Sequence, residues 1–384
     1  MAVLNPIDLT DHALIDGHCH PVTVEPLSDV AFALWCTESA YANESTLDSQ
    51  LGYAIRRWCA PVLGLPAHAA VDDYLAARRD LGADEAVRRL MRAARLSAML
   101  VDTGLPATGL LTVGQMSDLA GVSARQVVRL ESLAESVVDS SDASGFATAT
   151  SAALDDAFTA GAVAAKSIAA YRYGLDLPPQ RPTESEVRTA AGAWMRERAA
   201  GHARLSDPVL LRHLLWCAVD ARRPIQLHTG FGDADAGLIR ADPARLQPFC
   251  AATQDLGTPL VLLHCYPYHR GAGWLAHLYP HVYVDVGLAV GYLGARATAL
   301  LGEFLELAPF AKVMYSSDAY GLAELFLVGA AQFRHSLGRV LGGFVDDGAM
   351  SVEDAHTVAA AIGSGNATRL YGSPRGGAAD GDEV

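Results

Sequence analysis

Along the 384 residues, apolar runs of strand length alternate with stretches of helical periodicity, and eight such runs recur. They read as strands near Ala13–His18, Ala98–Asp102, Gln126–Leu130, Ala162–Ile168, Pro224–His228, Pro259–His264, His281–Asp285 and Lys312–Ser317. Helical patterns lie between them, at Val187–Ala200, Pro208–Ala221, Pro243–Leu256, Ala295–Leu307 and Leu322–Leu341. Pro208 and Pro243 each follow an aspartate, which suits an N-cap with proline in the first helical position. Strand alternating with helix means a parallel sheet with crossover connections. Eight units predict an α/β fold, a (β/α)8 TIM-type barrel whose site lies at the carboxyl ends of the strands. An open doubly wound sheet is the runner-up, disfavoured because no GxGxxG turn follows an early strand.

Residues 21–97 are too long for one strand–helix connection. They read as helical at Tyr53–Cys59, Val71–Leu81 and Ala83–Ala94, so a helical cap inserted over the end of strand one is expected. A second, shorter excursion spans about residues 172–222. The whole of residues 1–372 reads as a single barrel, and the Gly/Asp/Ala-rich tail 373–384 as disordered. Hydrophobic residues make up 51% of the chain, enough for a large core, yet no run of 18 apolar residues lacks charge, so no membrane span is expected. The first residues lack a basic segment followed by an apolar stretch, which argues against secretion. A net charge of −14 without a Lys/Arg block repels phosphate backbones and disfavours nucleic acid as a partner. The six cysteines show no CxxC spacing, so reduced thiols in a cytoplasm are the simplest reading. The expected partner is a small-molecule substrate; assembly into a homo-oligomer stays open.

The strand ends carry the chemistry. Asp16-Gly-His18-Cys-His20 closes the first strand with an HxH pair, and alternation of side chains aims both rings the same way. Two imidazoles converging on one point suit a divalent metal. His228 ends the fifth strand, His264 the sixth, and Asp318 follows the eighth. Each has a plainer reading, a hydrogen-bonded core histidine or a helix-capping aspartate. The plain reading must account for all of them together, at strand ends that surround one pocket in a barrel.

This arrangement resembles the amidohydrolase superfamily: HxH after strand one, His after strands five and six, Asp after strand eight. Lys166-Ser-Ile-Ala-Ala-Tyr-Arg172, Gln226-Leu-His-Thr-Gly-Phe-Gly-Asp233 and Leu263-His-Cys-Tyr-Pro-Tyr268 are similar to the amidohydrolase-2 branch, within it to the FluG/nodulin-type domains. The resemblance covers about residues 13–372. It implies that His18, His20, His228 and Asp318 hold a divalent metal, zinc before manganese and one ion rather than two. Asp318 then handles the proton as general base and acid, and His264 polarises the scissile carbonyl or ligates a second ion. Lys166 joins the ligands only if carbamylated; otherwise it stays an ammonium paired with a carboxylate such as Glu131 or with an anionic substrate. Arg172, Tyr171 and Tyr266 are the expected substrate contacts, with Arg172 as a carboxylate fork. Asp285 is expected to hydrogen-bond a ligating histidine, and Cys19 and Cys265 to face away as packing residues. The implied activity is hydrolysis of an amide-type C–N bond in a small carboxylate-bearing substrate, a γ-glutamyl or amino-acid amide by analogy. The alternatives are a metal-dependent non-oxidative decarboxylase of the same branch and a non-catalytic ligand-binding barrel.

Overall fold

A computed structural model describes residues 6–43, 45–105, 107–201 and 204–373. Eight strands form one parallel sheet in chain order: β1 (Leu14–Cys19), β2 (Leu96–Asp102), β3 (Ser123–Arg129), β4 (Ala164–Ser167), β5 (Ile225–Thr229), β6 (Leu260–His264), β7 (Val282–Asp285) and β8 (Val313–Met314). Each pairs with the next, from Ile15 opposite Ala98 to Asp285 opposite Met314. Backbone hydrogen bonds rather than a ladder join the two ends of the sheet: Gly17 N to Tyr315 O at 3.0 Å, Asp318 N to His18 O at 2.9 Å, and His20 N to Ala319 O at 2.7 Å. The result is a nearly closed barrel with helices around it, as the alternation of runs predicts.

The last strand is shorter than its apolar run. Beyond Met314, the Tyr315 amide donates to Ile362 O at 3.2 Å and the Ser317 amide to the Asp16 carboxylate at 2.8 Å, so a regular ladder ends there. The helix expected over Pro243–Leu256 is broken into a 3₁₀ turn (Pro243–Leu246), an α-helix (Gln247–Thr253) and another 3₁₀ turn (Gln254–Leu256). Pro248, which lacks an N–H, sits at the start of the central piece and interrupts the ladder. Both expected aspartate caps form: Asp207 accepts from Val209 N and Leu210 N, and Asp242 from Ala244 N.

The barrel interior is filled from the end opposite the candidate site. Ile15, Ala98, Leu100, Val127, Val261, Leu263 and Met314 pack together, with Ala367 and Tyr371 of the helix Asn366–Tyr371 closing that end. A second, larger core lies between strands and helices. In the segment 21–97, the helix Ala83–Ala93 packs between Val113–Ala120 and the 24-residue helix Ala323–Asp346, a place in the outer ring. The helix Gln50–Trp58 packs on Ala323–Asp346 and on Ala289–Leu293, while Trp35 and Glu38 line the cavity at the barrel mouth. The tail 374–384 lies outside the described residues. Among the described residues no helix is long and apolar enough to cross a membrane.

Candidate active site

Polar side chains at or just beyond the strand ends gather at one rim. His18 is anchored by Nδ1, which lies 2.8 Å from Gln226 Oε1. The Gln226 amide nitrogen already donates to Gly17 O at 2.7 Å and Tyr371 Oη at 3.1 Å, so its oxygen accepts and His18 Nδ1 carries the proton. His20 Nδ1 lies 3.0 Å from the Asp102 carbonyl, which can only accept. Both rings therefore present an Nε2 lone pair, and both point at one atom: Asp318 Oδ1 is 3.3 Å from His18 Nε2 and 3.4 Å from His20 Nε2. These three acceptors, with Lys166 Nζ as the neighbouring donor to His18 Nε2, form a cradle for a cation. His264 completes the ring of imidazoles, with Nδ1 3.5 Å from Asp318 Oδ2.

Burial keeps His18, His228 and His264 neutral, as metal ligands must be. It pushes His18 down to about 4, with the Lys166 charge adding to the effect. It holds His228 and His264 well below the ordinary imidazole value. Burial opposes ionisation of Asp318, but the surrounding His264, His18 and His20 hold its carboxyl well below the usual range. His228 Nε2, both ring nitrogens of His264 and Asp318 Oδ1 are buried and make no protein hydrogen bond. Buried polar atoms are rarely left so, and orphans gathered at one rim fit the binding of an ion or ligand. The ligand atoms of His18, His264 and Asp318 lie within 4.8 Å of one another, as do those of His18, His20 and Asp102. His228 is outside both groupings and packs its ring between His264 (centroids 4.6 Å) and Tyr171 (4.3 Å).

Lys166 ends β4 inside the same ring, its Nζ 3.0 Å from His18 Nε2. Burial lowers its pKa to about 8, against the opposing pull of Asp102 and Asp318. The expected Lys166–Glu131 pair is not made. Glu131 instead accepts from Ser167 Oγ at 2.7 Å and Ile168 N at 3.0 Å, fixing the turn after β4. Asp285 likewise differs from expectation: it accepts the backbone N–H of His264 at 2.9 Å, not an imidazole proton. That bond holds His264 in left-handed conformation, φ 68°, and with it the direction of the ring.

The cradle floors a cavity of about 510 Å³, lined there by His20, Lys166, His228 and Asp318. Tyr171 and Arg172 form part of its wall. Arg172 is no surface residue, with 9% side-chain exposure and Glu135 Oε1 at 3.1 Å. Tyr171 lies so close to Gly232 that a Cβ there would meet its hydroxyl at 2.1 Å and His228 Nε2 at 3.0 Å. Tyr266 is not among the lining residues; its ring stacks on His269 with centroids 6.1 Å apart. Cys19 and Cys265 turn to backbone carbonyls, Leu100 O at 3.4 Å and Leu262 O at 3.2 Å, as packing residues do.

Sequence reasoning missed four supports of the site. Asp16, inside the quoted HxH motif, accepts from Ser317 N and Oγ and so secures the turn before Asp318. Gln226 fixes the His18 tautomer, and its place two residues before His228 on one strand was the available signal. Burial opposes ionisation of Asp102, but the Arg129 guanidinium, at 2.7 Å, keeps its carboxyl well below the usual range. Glu38, from the inserted segment, carried no readable motif.

Comparison with known proteins agrees with the fold. The amidohydrolase-2 family profile matches residues 15–373. Protein fluG of Emericella nidulans is 30% identical over 94% of this chain, and the chain spans 46% of that protein's length. A protein of Lactobacillus casei ATCC 334, assigned as a metal-dependent hydrolase, superposes with TM-score 0.85 at 27% identity, covering 96% of this chain and 98% of that one. Uronate isomerase from Thermotoga maritima shares the fold, with TM-score 0.62 at 15% identity and 95% of each chain covered. The match over nearly the whole chain places the protein in the amidohydrolase-2 family.

Proposed function

We propose that the protein hydrolyses an amide-type C–N bond in a small, carboxylate-bearing substrate, a γ-glutamyl or amino-acid amide, with the help of a divalent metal. The observation that carries the reading is the meeting of two imidazole lone pairs at Asp318 Oδ1 on the floor of a cavity lined by charged side chains. His18, His20, His228 and Asp318 are the residues to hold the ion, zinc before manganese and one rather than two. When bound, the ion supplies Lewis acidity toward the carbonyl and makes water a nucleophile near neutral pH.

The side chains do the rest. Asp318, ionised among neutral imidazoles, takes the proton of the attacking water as the new C–O bond forms. The same carboxyl then passes that proton to the departing nitrogen as the C–N bond breaks. His264, neutral and without a hydrogen-bond partner on either nitrogen, is placed beside Asp318 to donate toward the oxygen that gains charge. Arg172, whose Nη1 already meets Glu135, offers the substrate carboxylate its unbonded Nε from the cavity wall. Lys166, an ammonium at neutral pH, keeps positive charge beside His18 and Asp318.

The test is release of 4-nitroaniline from γ-L-glutamyl-4-nitroanilide by zinc- or manganese-loaded protein, with carbon dioxide release followed in parallel on acidic substrates. Turnover that disappears in Asp318→Asn is the expected result. Carbon dioxide release without C–N cleavage would replace the reading by decarboxylation.

A further inference from the structure

The arginines lining the cavity each have a carboxylate partner: Arg129 meets Asp102 at 2.7 Å, Arg172 meets Glu135 at 3.1 Å and Arg204 meets Asp235 at 2.6 Å. Glu38 and Asp233 line the same cavity. Glu38 is half-buried and comes from the inserted segment, far in sequence from every strand end. Its Oε1 accepts the hydroxyls of Tyr320 at 2.8 Å and Tyr292 at 3.1 Å, and those hydroxyls lie 2.9 Å apart. Trp35 packs on Tyr320, with ring centroids 5.7 Å apart, and braces the clamp. Among the described residues, Oε2 of Glu38 has no hydrogen bond and the side chain has no cationic partner. The charged groups that act on it are Asp318 and Asp233, both carboxylates.

A carboxylate clamped in place, facing a cavity and lacking a protein cation is costly to keep unless something cationic arrives. Burial pushes Glu38 up to about 7, and the neighbouring carboxylates add to that cost while the tyrosine hydroxyls oppose it. Arg172 lines the same cavity; its Nη1 lies 3.1 Å from Glu135 Oε1, while its buried Nε makes no hydrogen bond.

We propose that Glu38 is the anchor for a substrate ammonium group, so that the cavity selects a zwitterion held by its ammonium at Glu38 and by its carboxylate at Arg172. Tyr292 and Tyr320 are positioning residues that fix the carboxylate. The inference deepens the hydrolase reading by naming the substrate class, and it rests on this cavity being the substrate site. A hydroxyl in place of the ammonium leaves the Glu38 charge uncompensated, so selection against uncharged analogues follows.

The test uses two diacids that differ only in the ammonium, L-glutamate and glutarate, titrated calorimetrically into metal-loaded wild type and Glu38→Gln. Wild type is expected to bind L-glutamate at least about tenfold more tightly than glutarate. Glu38→Gln should bring the two within about threefold while binding glutarate as well as wild type does, which also reports a folded cavity. Metal content should be unchanged in the variant. Equal affinities in wild type, discrimination that survives in Glu38→Gln, loss of metal in the variant, or binding of neither diacid would each overturn the proposal. Discrimination that depends on Glu38 supports the anchor even where γ-L-glutamyl-4-nitroanilide is not turned over, so failure of the C–N hydrolase reading is told apart from failure of this one.

Discussion

Asp318 sits in left-handed backbone, φ 52°, a conformation that aspartate tolerates better than most residues and that costs of order 1 kcal/mol. The fold sustains it with the Asp318 N–H bonded to His18 O and with the Asp16 carboxylate bonded to Ser317. That arrangement brings the carboxylate over the two Nε2 atoms of the HxH pair. Asp318→Asn keeps the shape and removes the base; kcat should fall by about 10²–10⁴-fold while metal stays bound. Retained turnover would remove Asp318 from proton handling. Arg172→Ala should raise KM for an acidic substrate by about tenfold with a smaller change in kcat, as expected of a group that binds ground and transition states alike. Gly232→Ala makes the same point through sterics. The added Cβ displaces the Tyr171 hydroxyl from beside His228, so activity should drop by about tenfold with little change in Tm. An unaltered rate would mean that Tyr171 does not shape the reacting geometry.

The helix Ala323–Asp346 is the main strut between the inserted segment and the barrel. Near its start, Glu324 is fully buried and accepts from Arg78 Nε at 2.7 Å and Tyr74 Oη at 2.8 Å, both on the helix Val71–Leu81. Removing one partner of such a pair strands a buried charge, so Arg78→Ala should cost about 3–5 kcal/mol in chemical denaturation. A loss below about 1 kcal/mol would show that the pair is wet in solution. These struts also explain what could be read from the chain. Most strands were legible because they are apolar runs buried on both faces with a polar residue at or just beyond the rim, as Leu260–His264 shows; Ser123–Arg129, half-exposed and polar at its start, reads as a strand only from Gln126. The HxH pair, His228, His264 and Asp318 were legible for the same reason, since strand ends in a barrel share one mouth. Supports that act across long sequence separations were not. Asp16 meeting Ser317, Gln226 meeting His18 and Glu38 meeting Tyr292 and Tyr320 depend on closure of the barrel and placement of the insertion, which no local period encodes.

Buried titratable groups away from the site shape the whole molecule's response to acid. His281, far from the cradle, is buried beside Thr253 Oγ1 at 3.1 Å; burial lowers its pKa to about 4, with the Lys312 charge adding to the effect. A histidine whose folded pKa lies below its unfolded value of about 6.5 contributes stability above that value and loses it as pH falls through the folded pKa. Tm should therefore decline between pH 6.5 and 4, and His281→Asn should decline less over that window than wild type. Parallel curves would remove His281 from the acid response. All six cysteines are buried and free, so reductant should leave Tm unchanged across the same series.

The central claim is that His18 and His20 hold one divalent ion together with Asp318. Elemental mass spectrometry of protein purified without chelator, beside the His18→Ala/His20→Ala double variant, tests it most directly. The account predicts about one ion per wild-type chain and loss of that ion in the variant. About two ions per chain would contradict the single-ion site and make a carbamylated Lys166 and His264 ligands. Metal-free wild type, still empty after reconstitution with zinc and manganese, would contradict the metal centre itself.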